Sequence, residues 1–277
     1  MANVFFKEQI PGAYMGMRET ALQLKGVDEY WVHDLFHLEK TSGLGFWDRY
    51  RENKWLKKSC SDYPVIHTYS EFTKNALFRQ VPGIGDKVAV VPPKADTAYV
   101  VTDDDARDVV RYQFTQGDAY FIYRGPIHPA AGLVNLLKGF SVFKKRIGSN
   151  MKMVLCGPQG DYSAAFLADL ENYKFRSDVV VTGEVGPYDQ VALLSSAYAL
   201  VHPCRWERFG IPVMNAMKAG VPVLTAANSA MAEFTGMAGM FFDVDDYDEI
   251  GRKLILIYND EQMRADMIGT GLIEKPA

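Results

Sequence analysis

Short apolar runs alternate with amphipathic segments along most of the chain, and the alternation is most regular beyond Asp118. The apolar runs predict strands at residues 119–123, 151–156, 178–182, 198–201, 221–225 and 240–244. The amphipathic segments predict helices at residues 133–146, 163–173, 188–197, 212–219 and 246–259. Strands that alternate with helices are typical of a doubly wound parallel sheet. We therefore predict an α/β fold for this part of the chain.

The first third of the chain has a weaker pattern. Strands are predicted at residues 28–34, 64–69 and 87–91, with less defined elements at 4–6 and 17–24. Helices are predicted at residues 46–58 and after Ser70, which is a favourable N-cap. Two prolines end the strand at 87–91, so we place a domain boundary after residue 94. This division predicts a partial N-terminal α/β domain of residues 1–94 and a complete C-terminal domain of residues 95–277.

Composition and charge exclude several classes of protein. The chain is 48% hydrophobic and 23% charged, as in an ordinary globular protein, and its net charge of −4 gives no general attraction to nucleic acid. The cysteines Cys60, Cys156 and Cys204 are far apart, which favours reduced, packed thiols over disulfides or a zinc site. No apolar run approaches the roughly 18 residues of a membrane span, and the N-terminus has no signal-peptide pattern. We expect a cytoplasmic protein without a nucleic-acid partner.

The stretch from Val201 to Val223 carries the most chemical information. A predicted strand is followed by a loop with two arginines and a carboxylate, and Pro212 then opens a helix that ends at Gly220. A helix N-terminus beside such a loop favours anion binding, because its free N–H groups and its dipole face the loop. A carboxylate, Glu207, beside an anion site suits a sugar joined to a pyrophosphate. The alternative is an ordinary strand, loop and helix with a solvated glutamate.

The same stretch resembles the donor-binding segment of a known family. The similar residues are Glu207-Arg-Phe-Gly-Ile-Pro, Ala216-Met, Ala219-Gly-Val-Pro-Val and Glu233. They resemble the retaining family-4, or group 1, glycosyltransferases of the GT-B fold. Val32-His-Asp-Leu and Ser70-Glu-Phe-Thr are also similar to family segments. The resemblance covers about residues 27–272 and implies that residues 95–277 form a Rossmann-like domain that binds a nucleotide-sugar.

The resemblance also implies roles for individual residues. Glu207 and His33 would be catalytic, although a histidine at a strand end is also commonly satisfied by the backbone. The donor-binding residues would be Arg124, Gly125, Gly157, Val185, Arg208, Phe209, Gly210, Ile211 and Asn215. Asn215 is a departure, since the family has a second glutamate there that contacts the ribose. An amide can still hydrogen-bond hydroxyl groups, but without the strength of a charged partner.

Two further departures concern the phosphates. The family holds them with an arginine and a lysine, and alignment through Gly125 puts Pro126 and Ala131 at those positions. Each lost charged hydrogen bond would cost roughly 1.5–3 kcal/mol. One hypothesis is therefore a metal-independent, retaining transferase without a cofactor, which moves a hexose from a UDP- or GDP-sugar to a glycan or lipid-linked acceptor. The other is a non-catalytic, degenerate GT-B module or partner subunit with weak nucleotide binding.

Three expectations complete the sequence-based picture. We expect no metal site, because the acidic run Asp103-Asp-Asp is placed to cap a helix. Only about 26 residues precede the strand of His33, and the family's closing C-terminal helix has no counterpart before Ala277. The resemblance therefore implies truncation at both ends, with a partner chain as one source of the missing half. The lysines at positions 54, 57 and 58 form either a solvated helix face or a peripheral contact with anionic lipid.

Overall fold

The chain forms two compact units, Met1–Pro93 and Lys94–Ala277. The computed structural model describes residues 13–15, 29–35, 45–128, 131–159, 163–204 and 210–274. The elements predicted at residues 4–6 and 17–24 lie outside the described residues.

A four-stranded parallel sheet forms the first unit, with its strands in chain order. The strands are β1 (Ala13–Met15), β2 (Glu29–Val32), β3 (Val65–Thr68) and β4 (Val88–Val90), of which β1 was not predicted. The helices are α1 (Phe46–Asp62) and α2 (Glu71–Gln80). Ser70 caps α2 as predicted, because its Oγ accepts a hydrogen bond of 3.1 Å from the Thr73 N–H.

Helix α1 runs four residues beyond its predicted end and buries Leu56, Ser59 and Cys60. Burial raises the pKa of the Cys60 thiol to about 12, and the charge of Lys87 offsets only part of this rise. The thiol is therefore neutral and packed, as the sequence predicts for this cysteine.

The second unit contains a six-stranded, wholly parallel sheet. Its strands are β5 (Tyr120–Arg124), β6 (Lys152–Cys156), β7 (Val179–Gly183), β8 (Ala199–His202), β9 (Val223–Ala226) and β10 (Gly239–Phe242). They lie in the order β10-β9-β8-β5-β6-β7. The chain therefore winds outward in both directions from β5 and β8, which confirms the predicted doubly wound sheet.

Helices connect these strands at nearly the predicted positions. They are α3 (Asp104–Thr115), α4 (Leu133–Ile147), α5 (Ser163–Glu171), α6 (Pro187–Ser195), α7 (Ile211–Lys218), α8 (Ala230–Thr235), α9 (Tyr247–Asn259) and α10 (Glu261–Ile273). The sequence did not predict α8 or α10. The break before α10 is a single residue, Asp260, whose carboxylate accepts a hydrogen bond of 2.8 Å from the Met263 N–H and so starts the new helix.

Close packing of α4 against α9 covers one face of the second sheet. A Cβ on Gly139 would lie 2.7 Å from Ile250 Cγ2, and a Cβ on Gly251 would lie 2.6 Å from Val142 Cβ. Two glycines therefore let these helices approach more closely than larger residues would allow.

Charged side chains meet at the amino ends of β6 and β7. The Asp178 carboxylate lies 2.9 Å from the Nζ atoms of both Lys144 and Lys152. Burial alone would raise the pKa of Asp178, but the hydrogen bonds and charges of Lys152 and Lys144 outweigh it and lower that pKa. Lys144 is buried and joins α4 to the sheet, a role beyond the helix-end charge that the sequence predicts.

Candidate functional site

The order of the second sheet places a switch point between β5 and β8. In doubly wound sheets, ligands bind outside the carboxyl ends of the strands at such a point. Arg124 ends β5 and His202 ends β8, and the segments after β6 and β7 reach the same edge. The predicted residues Arg124, Gly125, Gly157 and Val185 therefore all lie at one edge of this sheet.

Gly125 and Gly157 lie against each other at this edge. A Cβ on Gly157 would be only 2.0 Å from the carbonyl oxygen of Gly125, and Gly157 has φ +151°. The Gly157 N–H donates to the carbonyl oxygen of Gly183, and the Gly125 N–H to that of Cys156. The neighbouring strand therefore requires glycine at position 157 whether or not a ligand is bound. Its predicted contact with a nucleotide stays a prediction.

Arg124 is held by the helix that follows β7. Its Nη2 donates a hydrogen bond of 2.7 Å to Gln190 Oε1, and Gln190 Nε2 donates one of 2.9 Å to the carbonyl oxygen of Val185. Gln190 therefore connects two predicted donor-binding residues, Arg124 and Val185. The sequence analysis missed Gln190, although its place one turn into α6 after a strand-end loop is a recognisable signal.

The side chain of Asn215 contacts residues near the start of the second unit. Its Oδ1 accepts a hydrogen bond of 2.8 Å from the Asp96 N–H, and its side chain is hydrogen-bonded to the Tyr99 hydroxyl. Asn215 is 1% exposed, and Lys218 on the next turn of α7 donates from Nζ to the Asp96 carbonyl oxygen. The amide thus binds groups of the protein itself, and its predicted contact with ribose stays a prediction.

Tyr99 links this contact to the end of β5. Its ring is buried and lies 5.8 Å from the guanidinium carbon of Arg124. Burial raises the pKa of Tyr99, so the hydroxyl is neutral at ordinary pH and can hydrogen-bond Asn215. Tyr99 is a second residue that the sequence analysis missed.

The helix after β8 begins as predicted, at Ile211 with Pro212 in its first turn. Gly210 precedes it with φ +61°, and a Cβ there would lie 2.2 Å from the Phe234 ring. Position 210 therefore requires glycine for both backbone conformation and space. The predicted residues Glu207, Arg208 and Phe209, together with Arg205, lie outside the described residues.

His33 belongs to the first unit. It follows β2 directly, as predicted, but it is only 8% exposed and its ring stacks on Tyr69 at a centroid distance of 5.5 Å. Burial raises the pKa of Tyr69 to about 12. The strand-end position is confirmed, whereas the catalytic role of His33 stays a prediction.

Pro126 and Ala131 offer no positive charge to a phosphate. Ala131 is buried within the core of the second unit, and the Pro126 carbonyl oxygen accepts a hydrogen bond of 3.0 Å from the Tyr123 hydroxyl. The Ile127 N–H between them donates to the Pro158 carbonyl oxygen. In the described parts of this loop, the N–H groups of Gly125, Ile127 and Ala131 all have backbone partners.

Metal-binding groups are sparse within the described ranges, where no cluster of three or more His, Cys, Asp or Glu side chains could hold a metal ion. The expectation of a metal-independent site remains a prediction. Among the helices that the structure describes, none is long and apolar enough to cross a membrane.

A parallel doubly wound sheet with glycines at the strand ends of its switch point defines a Rossmann-like class of α/β domain. Comparison with known families is more specific. The model of the family "Glycosyl transferases group 1" matches residues 104–271, which is more than half of the chain. The chain belongs to this family.

Curated relatives are similar at low identity. O-antigen chain mannosyltransferase B of Escherichia coli is 23% identical over 227 residues, which are 82% of this chain and 59% of that protein. The alpha-1,3/1,6-mannosyltransferase ALG2 of Saccharomyces cerevisiae is 22% identical over 63% of this chain and 40% of its own length. The chain thus spans about half the length of these two relatives.

Solved structures agree on the fold. WaaG, a glycosyltransferase involved in lipopolysaccharide biosynthesis, has a TM-score of 0.76 at 17% identity, covering 98% of this chain and 75% of that chain. Anabaena Alr3699/HepE, solved with UDP and glucose, has a TM-score of 0.75 at 15% identity, covering 88% of this chain and 65% of that chain. The fold is therefore GT-B-like, as the sequence predicts.

Proposed function

We propose that this chain contributes the donor-binding part of a retaining glycosyltransferase. It would move a hexose from a UDP- or GDP-linked sugar to a glycan or a lipid-linked acceptor. The family match over residues 104–271 carries the proposal, and the switch point of the second sheet supports it, because ligands of doubly wound sheets bind at such points. The names of the relatives favour mannose as the hexose, whereas the Anabaena structure was solved with UDP and glucose.

Within the proposed site, Arg124 is a candidate partner for the diphosphate. It ends β5 at the switch point, and Gln190 and the Tyr99 ring hold its guanidinium in place. A preorganised cation at the leaving group lowers the energy of the developing negative charge without reorganisation during the reaction. Glu207 and the loop around it would contact the sugar, as the family resemblance implies.

The proposed reaction needs no metal. In a metal-free transfer, the departing diphosphate is neutralised by cations and by a helix N-terminus. The start of α7 at Ile211 and the arginines of the preceding loop provide this chemistry in the sequence.

One set of observations favours a second candidate, a non-catalytic module with weak nucleotide binding. The amide of Asn215 is engaged by Asp96 and Tyr99, and Ala131 is buried in the core. The N–H groups of Gly125, Ile127 and Ala131 in the loop after β5 also have partners within the protein. These contacts leave fewer groups for a diphosphate than the family pattern implies.

Calorimetric titration with UDP, GDP and ADP separates the two candidates. A transferase should bind one diphosphate clearly better than the others, whereas a degenerate module should bind all of them weakly or not at all. UDP-glucose and GDP-mannose turnover is then measured for the Glu207→Gln variant. This change removes a charge and keeps the shape of the side chain. Turnover should therefore fall at least tenfold, which corresponds to an increase of about 1.4 kcal/mol in the activation barrier.

The exposed Glu171→Gln variant is the matched control, since it removes a carboxylate from the end of α5. It should retain the turnover of the unmodified chain. Equal turnover in the Glu207→Gln variant and in this control would show that Glu207 is only a solvated side chain.

A further inference from the structure

Three aromatic side chains project into solvent from the first turns of α1. Phe46, Trp47 and Tyr50 are 67%, 76% and 57% exposed. Their rings contact one another edge to face, with centroid distances of 5.4 Å between Phe46 and Trp47 and 6.4 Å between Trp47 and Tyr50. A contiguous group of exposed aromatic rings usually marks an interaction site, because isolated apolar side chains are common on surfaces but clusters are not.

The rest of this face is basic. A helix advances by about 100° per residue, so the side of α1 that carries the aromatic rings also carries Arg51, Lys54, Lys57 and Lys58. All four cations are exposed. The opposite side buries Leu56, Ser59 and Cys60 against the first unit. The exposed face therefore combines aromatic rings in its first half with positive charge along its length.

Two of the three acidic residues of α1 lie off this face. Asp48 and Glu52 lie toward the buried side of the helix and are half-buried, and Asp48 forms an ion pair of 3.0 Å with Arg51. Asp62, the last residue of the helix, is exposed at the edge of the face, one turn beyond Lys58. Within the part of the chain that the structure describes, Lys54, Lys57 and Lys58 form no ion pair. These three lysines can therefore interact with external anions.

We propose that this face of α1, the aromatic-basic face, docks the protein on an anionic membrane surface. Aromatic rings prefer the headgroup level of a bilayer, where one part of the ring is apolar and the edge remains wet. Lysines on the same face interact with anionic headgroups, while the charged helix itself cannot enter the hydrocarbon. The helix thus lies along the surface, and this inference is independent of the proposed donor chemistry.

Vesicle sedimentation tests directly whether this face binds an anionic membrane. The full chain should bind vesicles that contain phosphatidylglycerol far better than vesicles of phosphatidylcholine alone, and added salt should weaken the binding. The triple variant Lys54→Gln, Lys57→Gln, Lys58→Gln should bind the anionic vesicles about a hundredfold more weakly, since each lysine near an anionic surface strengthens binding about fivefold. The variant Phe46→Ser, Trp47→Ser, Tyr50→Ser should lose at least about tenfold.

Matched controls use other exposed positions of the same chain. Val109→Ser with Tyr112→Ser removes exposed apolar surface from α3, and Lys145→Gln with Arg146→Gln removes two cations from the end of α4. These variants should bind vesicles like the unmodified chain. Circular dichroism confirms that every variant remains folded.

Fluorescence quenching locates the contact. Brominated phosphatidylcholine in the anionic vesicles should quench the emission of Trp47, and in the Trp47→Phe variant the quenching should fall to a background level while vesicle binding persists. That background comes from the other three tryptophans, of which Trp31 is buried and Trp55 is half-buried. Equal binding to neutral and anionic vesicles, or equal losses in the controls and the α1 variants, would overturn the proposal. Absence of vesicle binding would also overturn it.

Discussion

Asn215 offers the sharpest test of the candidate site, because its structural contacts and its predicted role in donor binding call for different results. Its side chain is hydrogen-bonded to the Asp96 N–H and to the Tyr99 hydroxyl, and it is fully buried in α7. Asn215→Ala removes both bonds and leaves two polar groups without their partner. We expect this change to lower the free energy of unfolding whether or not a nucleotide is present.

The magnitude follows from the burial of the two partners. The Tyr99 hydroxyl belongs to a buried residue, so loss of its partner costs about 1–3 kcal/mol. Asp96 is exposed, so its N–H recovers a water partner and adds roughly 0.5–1 kcal/mol. The expected total of about 1.5–4 kcal/mol corresponds to a decrease in Tm of roughly 3–16 °C for a unit of this size.

A double-mutant cycle assigns the effect to the contact itself. Urea unfolding is followed by circular dichroism for Asn215→Ala, Tyr99→Phe and the double variant. Because the two side chains share a hydrogen bond, their effects should be non-additive by about 0.5–2 kcal/mol. The exposed Asn172→Ala variant is the control and should change stability by less than about 0.5 kcal/mol.

The nucleotide affinity of the Asn215→Ala variant tests whether Asn215 contacts the donor instead. If the amide serves Asp96 and Tyr99, UDP and GDP affinities should change by less than about threefold in the folded Asn215→Ala variant, which is below about 0.7 kcal/mol. Additive stability effects together with a tenfold or larger loss of affinity would refute this reasoning. That result would identify Asn215 as the ribose contact that the family resemblance implies.

Two further predictions concern the second sheet. Gly157→Ala should destabilise the protein by about 2–3 kcal/mol in urea unfolding, because its Cβ would meet the Gly125 carbonyl oxygen, whereas Gly186→Ala has open space and should change stability by less than about 0.5 kcal/mol. Asp178 has a lowered pKa in the folded state, so its contribution is present above the unfolded value of about 3.9 and is lost as the pH falls through the lower folded value. Urea unfolding between about pH 3 and pH 6 should therefore show a smaller acid-induced loss for Asp178→Asn than for the unmodified chain. An identical pH dependence in both proteins would contradict the role of the Lys144–Asp178 ion pair.

Much of the second unit could be predicted because local chemistry and the global fold agree there. Asp103 and Asp246 cap α3 and α9 with their side chains, and Gly148 ends α4 in a left-handed conformation. Each of these features depends on residues within one turn of the helix. The helices α8 and α10 escaped prediction because one is only six residues long and the other begins a single residue after α9.

The contacts at the candidate site could not be predicted in the same way. Asp96 and Asn215 are 119 residues apart, and neither residue type identifies the other as its partner. Gln190 and Arg124 are separated by 66 residues. They meet because α6 connects β7 to β8, and β8 lies beside β5, which ends at Arg124. A strand-end pattern therefore locates the edge of the sheet at which a ligand binds, but the hydrogen-bond partners at that edge depend on the assembled tertiary structure.

Those partners limit how a diphosphate can be held. Arg124 ends β5 at the switch point and is engaged by Gln190, and Lys218 at the end of α7 is engaged by the Asp96 carbonyl oxygen. A guanidinium retains further N–H donors after one hydrogen bond, whereas Lys218 is already tied to the segment before α3. Arg124 is therefore the better phosphate partner of the two, and its orientation depends on Gln190. The distinction between an active transferase and a weak nucleotide-binding module thus rests on how much charge the loop with Arg205 and Arg208 adds to that of Arg124.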